Sequence, residues 1–79
     1  MDFNKILVIA KRNNLPHNDI ETIREYLEHR EWGIAFEQLC SAIEDEEIVI
    51  TEDDYALIEE IGNIMNMDKK LWRCLKHKK

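Results

Sequence analysis

Trp32, Ala35, Phe36, Leu39, Cys40 and Ile43 recur at i, i+3, i+4 and i+7 spacing. On a helix turning once per ~3.6 residues all six share one face, whereas a strand, with its period of two, would scatter them over both. This segment therefore predicts an amphipathic helix with a wide apolar stripe, and the rest of a 79-residue chain has to cover it. A chain of this length holds one core, so residues 1–79 read as a single domain.

Four other segments supply the cover. The first runs from about Asp2 to Asn13, with Phe3, Ile6, Leu7 and Ala10 at helical spacing and Val8 and Ile9 widening the face. Pro16 breaks the chain after it, and Asn18 with Glu21 three residues on predicts the next helix start. That helix carries Ile20, Ile23 and Leu27 inward and ends near His29, so a link of about three residues joins it to the Trp32 segment as an antiparallel hairpin. Gly33 falls in the first turn of the Trp32 segment, where the expectation is close approach of another helix. Thr51 and Asp54 predict a fourth helix start, with Tyr55, Leu57, Ile58, Ile61 and Met65 inward. Asn66-Met67-Asp68 opens a short last helix carrying Leu71, Trp72 and Leu75. Between them Ile48-Val49-Ile50 is too short for a sheet by itself and reads as an extended connector on the core. With 2 Gly and 1 Pro the chain has little turn material, and the expected fold is all-α, a four- or five-helix bundle.

Charge is distributed very unevenly. The net charge of −6 conceals three blocks: residues 1–30 carry five acids and five bases, 31–68 carry twelve acids and no Lys or Arg, and 69–79 carry six bases and no acid. A central block of that sign disfavours binding to nucleic acid or an anionic membrane, because both draw their affinity from Lys and Arg on phosphates. It favours a basic partner.

Chemistry has few candidates. Cys40 and Cys74 lie 34 residues apart with no CxxC spacing and no nearby His pair, so no metal or other cofactor is expected. His17, His29 and His77 fall at a turn, a helix end and the tail, and no nucleophile is set beside a base. The chain reads as a non-enzyme. The apolar run Ile6-Leu7-Val8-Ile9-Ala10 is bounded by Lys5 and Lys11 and is too short for a signal peptide or a membrane span. A cytoplasmic protein with reduced thiols is expected.

One stretch has a familiar order. Residues Tyr26 to Cys40, with Glu31-Trp32-Gly33-Ile34-Ala35 opening a helix and Leu39-Cys40 within it, are followed by Ile50-Thr51-Glu52 and then by Met65-Asn66-Met67-Asp68-Lys69-Lys70-Leu71-Trp72. Over about residues 20–75 this resembles the MafI family of immunity proteins, small helical partners of secreted bacterial polymorphic toxins. The resemblance implies stoichiometric neutralisation of a cognate toxin, with nucleases of the EndoU ribonuclease type among the family's targets. It carries over no catalytic residue, and the N-terminal segment lies outside it.

Together these readings single out the acidic stretch as the candidate binding face. Glu44, Asp45, Glu46, Glu47, Glu52, Asp53 and Asp54 would offer carboxylates to the Lys and Arg of a nuclease, with Glu59, Tyr55 and Trp32 as flanking contacts. The expected complex is a 1:1 heterodimer with the toxin domain, without nucleic acid or membrane. The alternative is a small acidic helical adaptor or nucleic-acid mimic acting on a basic host protein. A rival physical explanation is internal: the C-terminal lysines neutralise the acids if the last helix folds back.

Overall fold

The computed structural model describes residues 1–78. Five helices follow in order: α1 (Lys5–Arg12), α2 (His17–Glu28), α3 (Trp32–Asp45), α4 (Glu52–Ile64) and α5 (Lys70–Arg73). Two short strands, β1 (Ile50–Thr51) and β2 (His77–Lys78), complete it. The fold is the expected small all-α bundle, with a two-stranded sheet added. Among the described residues no helix is long and apolar enough to cross a membrane.

The apolar stripe of α3 is the centre of the core. Ala35, Phe36, Leu39, Cys40 and Ile43 of α3 are buried in one cluster with Ile6 and Ile9 of α1, Ile23 and Leu27 of α2, and Ile58 and Ile61 of α4. Burying one such aliphatic or aromatic side chain is worth ~1.5–3 kcal/mol. Trp72 of α5 is the largest fully buried side chain and meets Phe36 edge to face, ring centroids 5.8 Å apart. Gly62 makes this possible: a Cβ there would stand 2.2 Å from Trp72 Cζ3. The close approach expected at Gly33 is therefore found at Gly62 instead. Beside Gly33 stands only the side chain of Met67, with Sδ 3.6 Å from where a Cβ would lie.

Helix boundaries differ from the sequence reading where local turns intervene. Asp2 Oδ1 accepts the Asn4 N–H at 2.9 Å, so residues 2–4 form a turn and α1 begins at Lys5. At α2, Pro16 with φ −53° and ψ 145° occupies the capping position, and the Asn18 cap is not formed. Proline fixes the approach angle and has no N–H to satisfy, and the helix starts at His17, two residues earlier than an Asn18 cap would allow.

The first four helices end in the same way, without glycine. Asn14, Arg30, Glu47 and Asn66 have φ between 52° and 58°. The residue after each donates its N–H back five positions: Leu15 to Ala10, Glu31 to Tyr26, Ile48 to Ile43 and Met67 to Gly62. This is the Schellman arrangement, which satisfies the last carbonyls and folds the next residue back onto the helix. The scarcity of glycine in the sequence thus does not prevent tight turns; it moves their cost onto side chains such as Arg30 and Glu47.

The connector after α3 is extended as expected, with Ile50 fully buried, but it also has a partner. β1 pairs in parallel with β2, Ile50 opposite His77 and Thr51 opposite Lys78. The Ile50 N–H donates to Lys76 O at 3.0 Å. Parallel pairing requires a crossover, and α4 with α5 supplies it. This bridge folds the basic C-terminal segment back beside the acidic stretch.

Candidate functional site

The acidic stretch lies where α3 ends and α4 begins, and the fold divides it in two. At the exit of α3, Glu44 and Asp45 occupy the last turn, Glu46 is the cap residue and Glu47 takes the left-handed position, φ 52°. All four are exposed. The last turn of α3 holds no basic residue. Carboxylates at the C-terminal end of a helix face the negative end of its dipole, which disfavours each by ~0.3–1 kcal/mol.

The start of α4 is the reverse case. Thr51 Oγ1 accepts the Asp54 N–H at 3.1 Å, forming the expected cap, and Glu52, Asp53 and Asp54 fill the positive first turn. Asp54, however, is 3% exposed. Its carboxylate accepts hydrogen bonds from the Arg12 guanidinium and from Asn13 Nδ2, the latter at 2.9 Å, both from the end of α1. Asn13 Nδ2 also donates to Ile9 O at 2.8 Å, which holds that side chain in place. The hydrogen bond to Asp54 pushes the pKa of Arg12 up, against a smaller opposing effect of burial. Asp54 is thus a structural clamp and not part of a partner-facing surface, a correction to the sequence reading. Arg12 stands 42 residues before it and carries no local signal of the pairing.

The flanking residues are also partly engaged. Tyr55 is half-buried and stacks on His77, ring centroids 4.0 Å apart. Glu59, also half-buried, accepts the Trp72 indole N–H at 3.4 Å. Trp32 packs on Phe3 with centroids 5.5 Å apart. It lies at the opposite end of α3 from Glu44, ~18 Å away at the helical rise, so the structure does not bring it into the acidic cluster.

The internal-neutralisation idea meets a mixed arrangement. Lys76 lines a cavity of about 180 Å³ with Glu44 and Glu47, and Lys78 lines another hollow with Glu52 and Asp53. The basic tail therefore runs between the two acidic groups. Yet among the described residues the ion pairs are Arg12–Asp54 and Arg24–Glu21, and none joins the tail to an acid. Glu44 accepts a hydrogen bond from the Cys74 thiol at 2.7 Å instead.

The exposed carboxylates left by this arrangement are Glu44, Asp45, Glu46 and Glu47 at one helix end and Glu52 and Asp53 at the next helix start. Glu47 and Glu52 are five residues apart, so the two groups lie within ~18 Å of each other along even a fully extended chain. Chemically this is a surface for ammonium and guanidinium groups. Among the described residues no group of three or more His, Cys, Asp and Glu side chains is placed to hold a metal ion. No protein-family model, curated protein or solved structure matches the chain.

Proposed function

We propose that this protein is an immunity protein that binds a cognate bacterial toxin, a nuclease, and covers its active site or RNA-binding cleft with the acidic surface around the exit of α3. The reading rests on one observation above all. Four exposed acids stand at the negative end of α3 with no ionic partner among the described residues, an arrangement that costs the free protein stability. A basic partner relieves that cost by supplying the missing counter-charges. A nuclease must present such charges, since its substrate is a polyanion. Long-range attraction between surfaces of opposite sign also speeds encounter, which suits an inhibitor that has to act before its target does. The resemblance of the motif order to that of MafI-type immunity proteins is in keeping with this reading.

The test is to mix the protein with the toxin domain encoded beside it and to follow RNA and DNA cleavage at equimolar ratio. Cleavage is expected to stop. Undiminished cleavage sinks the proposal, and capture of a DNA- or RNA-binding host protein in its place supports the adaptor reading. Replacing Glu44, Asp45, Glu46 and Glu47 with Gln or Asn is expected to weaken inhibition and flatten its salt dependence while the helical circular-dichroism signal stays unchanged.

A further inference from the structure

The two cysteines are far apart in sequence but close in the fold. Cys40 is buried on the core face of α3, and Cys74 is exposed at the end of α5. Both line one cavity of about 210 Å³ together with Glu37, Ser41, Glu44 and Leu71. Glu44 lies one turn beyond Cys40 on α3, and residues four apart on a helix are neighbours on one face. Because Glu44 Oε2 accepts the Cys74 Sγ–H at 2.7 Å, the Cys74 sulfur is held over the same turn of α3 that carries Cys40.

We propose that Cys40 and Cys74 form an intramolecular disulfide when the protein meets a hydroperoxide, stapling α5 and the C-terminal strand to α3. The bond requires the Cys74 side chain to turn from Glu44 toward Cys40 within the cavity that both line. The exposed Cys74 reacts first. Its proton passes to Glu44, its thiolate sulfur attacks a peroxide oxygen, the O–O bond breaks, and the alkoxide or hydroxide that leaves takes up a proton. The product is a sulfenic acid at Cys74. The Cys40 sulfur then attacks that sulfur, the S–O bond breaks, and hydroxide leaves with the Cys40 proton as water. Two thiols and one hydroperoxide give one disulfide, one alcohol or water, and one further water.

Both thiols resist ionisation. Burial pushes Cys40 up to about 12, and the hydrogen bond to Glu44 pushes Cys74 up as well. Since the thiolate is the nucleophile, the bond forms slowly, under sustained oxidation and not within seconds. Once formed it closes a loop of 34 residues, which restricts the unfolded chain, and it ties down the segment that carries Lys76 and β2.

The test uses the whole reduced protein treated with excess hydrogen peroxide, then unfolded, alkylated and weighed. The expected result, read after digestion on the two cysteine peptides because excess peroxide also converts methionines to sulfoxides, is a linked Cys40–Cys74 pair about 2 Da below the sum of the reduced peptides, with no alkyl group added. The melting temperature is expected to rise by on the order of 10 °C and to return on reduction with dithiothreitol. Cys74→Ser, at an exposed position, and Cys40→Ser should each abolish the mass loss. Oxidised protein in which Cys40 is still alkylated overturns the proposal, whether Cys74 is then found as a sulfinic acid or in a disulfide between two chains. Toxin inhibition plays no part in these readouts, so the inference stands or falls apart from the proposed function.

Discussion

Two groups of carboxylates separated by four residues of chain have opposite relations to the helices that carry them. At the start of α4, Glu52, Asp53 and Asp54 sit at the positive end of the dipole, Thr51 caps the turn, and Asp54 is clamped by Arg12 and Asn13. Every part of that arrangement contributes to folding. At the exit of α3, Glu44 to Glu47 sit at the negative end, one of them in a left-handed conformation, with no base in the last turn. As a run of letters the two groups are a single acidic block. In the fold, the α4 group is accounted for by its own helix and the α3 group is not, which is why the proposed binding face is placed at the exit of α3.

The largest expected effect tests the clamp. Asp54→Ala removes hydrogen bonds between charged groups at a buried carboxylate and should cost about 2–3 kcal/mol in urea unfolding. A loss below about 0.5 kcal/mol would mean that the start of α4 is no more structural than the end of α3. Next comes the proposed toxin complex: neutralising Glu44, Asp45, Glu46 and Glu47 together should weaken binding at least about tenfold in calorimetry, about 1.4 kcal/mol, and Glu52→Gln with Asp53→Asn by less. The reverse order would move the interface to α4.

Smaller changes sharpen the contrast. Thr51→Ala deletes the cap and should lower stability by about 1 kcal/mol. Glu47→Gly should do the opposite, raising the urea midpoint by an amount equivalent to about 1 kcal/mol, because glycine accepts a positive φ without strain. If the proposed function is right, that stabilised variant binds toxin less well. Glu44→Gln and Asp45→Asn should each stabilise the free protein by a few tenths of a kcal/mol, and the gain should shrink as salt is added, because both act through the dipole of α3. A salt-independent gain would point to local packing instead.

Much of this architecture was legible in the sequence. The stripe from Trp32 to Ile43 is a helix over nearly those residues because its period is set by covalent geometry and repeated along the segment. The Thr51 cap and the extended Ile48–Ile50 connector were legible for the same reason: their signals lie within a few residues. What could not be read was contact at long range. The Arg12–Asp54 clamp spans 42 residues, the Cys74–Glu44 hydrogen bond spans 30, and the Ile50–His77 pairing lies between segments with no strand pattern. Nothing near Asp54 in sequence distinguishes it from the exposed Asp53, so its burial is not legible there. The start of α2 is ambiguous in the sequence because Asn18 offers a capping side chain two residues after Pro16, the cap that forms.

The sequence by itself determined a small all-α domain, with its helical faces, its buried Cys40 and its uneven division of charge, since each follows from residue type and short spacing. Only the tertiary structure decided which acids are exposed, that Gly62 and not Gly33 admits a close neighbour, and that the two thiols share a cavity. Those outcomes depend on which helix ends meet once the core closes. The direction in which each helix dipole meets its acids then separates one charged cluster that holds the fold together from another that the fold leaves uncompensated.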